Sequence, residues 1–160
     1  MKGKKTDLST SACGIARSLN VIGDWWSLLI VRDALAGARR FGEFQTRLGL
    51  AKNILSARLR KLVEAGILKT APAADGRARN EYLLTEKGEQ LYLVLVALWQ
   101  WGEKYSFDPG EQELFMVDRE KSREMARMEL NTVDGRRIGP RDYTARRRAI
   151  GGLAAQGDHG

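Results

Sequence analysis

The chain has one cysteine, Cys13, and one histidine, His159, in 160 residues. A single cysteine excludes an internal disulfide framework. With the only imidazole at the far end, no zinc site can be assembled, and the body of the chain offers no Ser/His/Asp or Cys/His constellation. Enzymatic function is therefore disfavoured, and neither metal nor cofactor is expected. Long apolar runs are missing as well. None approaches the roughly 20 residues of a membrane-spanning helix, and the basic stretch MKGKKTDLSTSAC has no apolar segment behind it that would serve as a secretion signal. The expected location is the cytoplasm, away from membranes.

Basic charge, by contrast, is present and concentrated. The formal charge is +7. Between Ala36 and Asn80 stand ten Lys/Arg and three Asp/Glu, a difference of +7, while the rest of the chain carries seventeen of each sign and sums to zero. Such a local excess is the footprint of a surface that meets a polyanion, with nucleic acid the leading candidate.

In the middle of that segment lies LAKNILSARLRKLVEAG, Leu50 to Gly66. Leu55, Leu59, Leu62 and Val63 recur at helical spacing. Asn53, Ala57, Arg60, Lys61 and Glu64 fall opposite them, with Lys52, Ser56 and Arg58 on the flanks. Small, amide, hydroxyl and cationic side chains suit base edges and phosphates better than a catalytic pocket. An ordinary amphipathic surface helix would read the same way. The preceding segment favours the first alternative: Gly42 to Leu48 forms a short helix with Phe41, Phe44 and Leu48 inward, Gly49 breaks it, and the two helices with their tight turn make a helix-turn-helix.

Upstream, residues 1–10 are expected to be disordered, followed by a helix over Ser11–Ile22 with Ile15, Leu19 and Ile22 on its buried side. Asp24 is a good N-cap for Trp25–Leu35, a helix apolar nearly all round and so a core helix. Arg32 on it reads as a paired structural charge. Arg39–Phe41 could form a brief strand. Downstream, Ile67–Ala71 and Glu81–Thr85 read as a hairpin with Arg77 and Arg79 at its tip, placed to lie along the backbone or reach a minor groove, although a solvated loop has the same composition. Thr85 can cap a long helix over Glu86–Tyr105.

That long helix carries more apolar surface than one domain needs. Leu91, Val94, Leu95, Leu98, Trp101 and Tyr105 make one stripe, and Tyr92, Leu93, Val96 and Trp99 populate the other sides. A dimer interface formed by this helix, alone or together with the first helix, explains the excess, with Leu91, Tyr92, Val94, Leu95, Leu98, Trp99 and Trp101 as its candidate residues; cover by the C-terminal segment of the same chain is the alternative. The expected organisation is a mainly α chain with a small β wing: a winged helix-turn-helix and dimerisation domain over 11–107, a C-terminal extension over 108–150 and a disordered tail over 151–160. In the extension, Met128–Ile138 could be a β-hairpin turning at Asp134-Gly135. Arg146, Arg147 and Arg148 read as a solvated charge run, with contact to DNA the alternative.

Taken together, the run from Cys13 to Leu19, IGDWWSLLIVRD, RRFGEF, LSARLRKL, EAGIL, EYLLTEKG and Trp101-Gly102 resemble the HxlR family of bacterial winged-helix regulators, relatives of the MarR type. The resemblance spans about Cys13 to Gly102. It implies a homodimer on a pseudo-palindromic double-stranded DNA operator, and a response to a small-molecule effector or thiol-reactive signal. On that reading Lys52, Asn53, Ser56 and Arg60 face the major groove, while Arg40, Arg58, Arg77 and Arg79 hold phosphates or the minor groove. Family members often sense quinones, aldehydes or oxidants through a cysteine at the position of Cys13; an idle thiol is the alternative. A hydrophobic effector would lodge near Trp25, Trp26 and the long helix. Two departures stand out: Gly14 where the family typically has proline, and Ala51 where a capping serine is common. A protein-interaction adaptor whose basic surface binds an acidic partner is the competing function.

Overall fold

The computed structural model describes residues 7–73 and 80–146. The chain divides into two compact units, Met1–Gln112 and Glu113–Gly160.

The first unit is helical. Helix α1 (Gly14–Ile22) begins three residues later than Ser11, with Cys13 as its N-cap. Only Ile22 of its expected inward stripe is buried; Ile15 and Leu19 are 73% and 53% exposed, so the apolar side of α1 is uncovered in the single chain. Helix α2 (Trp25–Leu35) is capped as its sequence demands, Asp24 Oδ1 accepting from Ser27 N at 3.0 Å. Ile30 and Val31 on α2 are fully buried, but Trp25 is 75% exposed, so this helix is central on one side only.

Helices α3 (Phe41–Leu48) and α4 (Lys52–Glu64) follow as expected. Their tight turn needs a left-handed residue, and Gly49 supplies it at φ 64°. No strand forms over Arg39–Phe41. What remains of it is one backbone bond, Tyr82 N to Arg39 O at 2.7 Å, because Arg40 takes the N-cap position of α3. Phe44, Leu55, Leu59 and Leu62 are fully buried and close a core with Ile30, Val31, Ile67 and Leu68. Burying a side chain of this size is worth about 1.5–3 kcal/mol, so the leucine spacing of α4 is the main anchor of that helix.

Strands β1 (Leu68–Pro72) and β2 (Asn80–Leu84) form the antiparallel wing, with Leu68 opposite Leu84, Thr70 opposite Tyr82 and Pro72 opposite Asn80. Both lie one residue away from the expected spans, and Pro72 closes a strand instead of opening the loop. The Phe44 and Tyr82 rings meet edge to face at 6.4 Å, tying wing to core.

The helix expected over Glu86–Tyr105 runs as α5 (Glu86–Glu89) and α6 (Tyr92–Tyr105). Gln90 and Leu91 between them keep right-handed helical backbone, so the course continues through an irregular turn. Thr85 caps it as expected, accepting from Gly88 N at 3.1 Å. At Gly88 any Cβ would lie 2.2 Å from the Ile67 carbonyl oxygen, so only glycine lets the helix start pack on the wing base. No residue of α6 is buried; Leu91 and Leu95 pack against the core, while Val94, Leu98, Trp101 and Tyr105 are exposed.

The second unit holds short β elements. Strands β3 (Leu130–Asn131) and β4 (Arg137–Ile138) pair antiparallel, so the hairpin around Asp134-Gly135 is present. Its turn differs in size: Thr132 N donates to Arg136 O at 2.9 Å and Gly135 sits at φ 86°, which makes a three-residue loop rather than a two-residue one. A second hairpin, unforeseen in the sequence, is pinned by the Val117–Glu124 bridge, with the Asp118 carboxylate accepting backbone bonds from Glu120, Lys121 and Arg123.

Candidate nucleic-acid interface

Burying Leu55, Leu59 and Leu62 fixes which side of α4 faces outward. Lys52, Asn53, Ser56, Ala57 and Arg60 are all exposed on it, as is Glu64, which approaches Arg60 at 4.0 Å. Ala51 caps the helix with no side-chain hydrogen bond. Amide, hydroxyl and guanidinium groups thus project together from a helix held only by its other side. Asparagine suits adenine and arginine suits guanine in bidentate geometry, so this face can read base edges.

Lys61 and Arg58 turn the other way. Asp24 receives both, with Arg58 Nε at 3.4 Å from Oδ1 and Lys61 Nζ at 3.3 Å from Oδ2, while Ser27 Oγ donates to Oδ2 at 2.7 Å. Burial pushes the Asp24 carboxyl up, but the two Ser27 hydrogen bonds and the Arg58 and Lys61 cations outweigh it, so its pKa lies below the ordinary 3.8. One carboxylate therefore caps α2 and clamps α4 to it. Sequence reading placed Lys61 on the outward face and Arg58 at phosphate; the structure brings both to Asp24. The cap was legible, but the clamp was not, because a 37-residue separation between Asp24 and Lys61 leaves no local pattern.

Arg40 is also engaged, its Nε lying 3.3 Å from Oε1 of Glu81, which is 8% exposed on β2. This pair joins the start of α3 to the wing. Glu43 backs it up by accepting from Arg39 N at 2.7 Å and Arg40 N at 3.0 Å, and those two bonds chiefly hold its carboxyl below the ordinary range. Arg39, Arg47 and Lys69 are exposed around α3 and β1 and extend the basic surface beyond the expected site residues. Only the local charge count pointed to them. Arg77 and Arg79 lie outside the described residues, as do the first six residues, Arg147, Arg148 and the 151–160 tail. Arg32 is paired as expected, its Nη2 lying 2.9 Å from Asp33 Oδ1.

Cys13 is an exposed free thiol at the start of α1, its backbone N–H held by Ser11 Oγ at 3.1 Å. Trp25 and Trp26 meet edge to face at 6.2 Å. Among the described residues, no helix is long and apolar enough to cross a membrane, and no His/Cys/Asp/Glu group could hold a metal ion.

A buried-leucine helix presented outward after a Gly49 turn, flanked by a two-stranded wing, defines a winged helix-turn-helix protein. The profile of the HxlR-like helix-turn-helix family matches residues 21–109, more than half of the chain, and the chain belongs to that family. An uncharacterized HTH-type transcriptional regulator of Mycobacterium tuberculosis is 44% identical over 91 residues, which are 57% of this chain and 58% of that protein. The chain therefore spans less than two thirds of the length of that relative. Among solved structures, PA1607, a candidate transcription factor, is 47% identical with a TM-score of 0.85 over 89% of this chain and 100% of that one. The redox regulator HypR in its oxidized form is 29% identical with a TM-score of 0.52 over 57% of this chain and 96% of that one.

Proposed function

We propose that this protein is a sequence-specific transcriptional regulator that binds a pseudo-palindromic DNA operator as a homodimer. The observation that carries the reading is the outward face of α4, where Asn53, Ser56 and Arg60 stand exposed within a segment that holds the whole +7 excess. In the dimer, α4 of each protomer enters the major groove. Arg60 and Asn53 read bases, and Lys52, Arg39, Arg47, Lys69 and the wing arginines Arg77 and Arg79 hold phosphates or the minor groove. Arg40 and Arg58 contribute chiefly by fixing α3 and α4, through Glu81 and Asp24. The exposed apolar residues Ile15, Leu19, Val94, Leu98 and Trp101 supply the dimer interface.

The regulatory part rests on Cys13 and on the likeness to a redox regulator. Thiol modification of Cys13 at the edge of the α1 face changes how the protomers meet and hence the spacing of the two reading helices. Fluorescence anisotropy with the chain's own upstream DNA, with competitor and at varied salt, tests the binding. Tight, competitor-resistant binding to one half-site pair is expected. Binding equal to that of random DNA overturns sequence specificity, and no binding at all points to the adaptor reading. For the sensor, quinone or peroxide should release DNA from the parent and not from Cys13→Ser; equal release from both places the sensor elsewhere.

A further inference from the structure

Among its described residues the second unit has no core. From Glu113 to Arg146 no residue is buried. Phe115, Leu130 and Tyr143 are each more than 60% exposed, and Val117, Met125 and Val133 are exposed too. Yet the segment is specifically built: two hairpins, three backbone bonds into Asp118 and an Arg137–Glu129 ion pair at 2.9 Å define it. Isolated two-stranded ribbons are marginal in water unless a further layer covers them. It is also not peculiar to this chain. The likeness to PA1607 covers 89% of 160 residues, about 142, whereas the first unit has 112, so the match must include much of this arm.

We propose that the arm is completed by the arm of a second copy of this chain, apolar face against apolar face. The inference extends the homodimer reading and rests on it. Charge selects this occupant. From Glu113 to Gly160 there are eight acidic and ten basic residues, a net charge of +2, with both signs present along the segment. Charges of both signs in nearly equal number let one copy of the segment face another without strong net repulsion. Isologous pairing brings each patch against its own image, so mixed signs can be satisfied reciprocally. The shape agrees: Leu130, Ile138, Pro140 and Tyr143, with the charged Glu129 and Arg137 beside them, line an open groove of about 590 Å³ along the β3–β4 ribbon.

The test uses the full chain. Hydrogen exchange is followed across a dilution series that spans the dimer dissociation constant, and isotope-filtered NOEs are recorded on a mixed labelled and unlabelled dimer. The amides of Met125, Thr132 and the β3–β4 ribbon should lose protection at least tenfold on dilution, and filtered NOEs should join arm to arm. Leu130→Asp and Tyr143→Asp should weaken dimerisation at least tenfold with an unchanged circular dichroism spectrum, since neither side chain is buried in the single chain. Protection independent of concentration overturns the inference, as would variants with the parent's dissociation constant or filtered NOEs that never involve the arm. A chain monomeric at every concentration sinks the homodimer reading as well. A dimer broken by Trp101→Glu whose arm protection never responded to dilution sinks this inference alone.

Discussion

Asp24 shows how much one side chain can carry: it caps α2, accepts the Ser27 hydroxyl and holds Arg58 and Lys61 of the reading helix. Two substitutions separate these tasks. Asp24→Ala removes all of them and should destabilise the protein by about 1–2 kcal/mol, the range for a lost N-cap, in urea unfolding at pH 7. Asp24→Ser keeps a capping oxygen but loses the charge and the second oxygen that Ser27 Oγ and Lys61 reach, so its cost should be smaller than that of Asp24→Ala. The pH dependence has a definite sign. A carboxyl with a lowered folded pKa stabilises fully above its unfolded value of 3.8, and that stabilisation is lost as pH falls through the folded value. The gap between parent and Asp24→Ser should therefore be constant from pH 7 to 5 and close as pH drops below about 4. A gap that persists at pH 2 would count against the clamp. On the outward side of the same helix, Asn53→Ala and Arg60→Ala should each cost about 1–3 kcal/mol on the operator and little on random DNA, as base contacts do.

Among the elements, α4 is the one whose geometry was most fully written in local sequence, because three leucines at helical spacing can be buried together in only one orientation. Its weak point was written there too. Ala51 offers no cap, so Ala51→Ser should stabilise the fold by up to about 1 kcal/mol, visible as a higher urea midpoint at unchanged slope. The α1 and α2 readings meet the single chain only in part, for a shared reason. Periodicity reports that a face is apolar, not which partner covers it, and Ile15, Leu19 and Trp25 are exposed in the single chain. For α6 the surplus apolar side chains were legible as a need for a partner. Trp101→Glu should then shift sedimentation from dimer toward monomer with helix content retained, because Trp101 is 61% exposed and supports no core of its own chain. The Arg39–Phe41 strand failed because the claim of an N-cap on Arg40 outweighed three residues of weak β preference. The Asp118 hairpin was invisible because its register is set by a carboxylate reaching backbone groups up to five residues away, with no turn dipeptide to mark it.

At the scale of the whole molecule the governing quantity is charge, and it makes a quantitative prediction about salt. Ten cations lie between Ala36 and Asn80. Arg40, Arg58 and Lys61 are engaged by Glu81 and Asp24 inside the chain, and with Arg60 proposed for a base edge six remain for phosphates. A homodimer then presents at most 12. With a slope of about −0.9 per neutralised phosphate, log affinity against log salt should fall with a slope between about −5 and −11, the lower figure if half of them engage. Arg77→Ala with Arg79→Ala removes four cations per dimer and should flatten that slope by up to about 3.6, while weakening operator and random DNA alike. Asp24→Ser should leave the slope nearly unchanged if Arg58 and Lys61 face the protein, and steepen it if release from Asp24 lets them reach phosphate. A wing double variant with the parent's slope would mean that the wing stands clear of the duplex and that α3 and α4 supply the contacts alone.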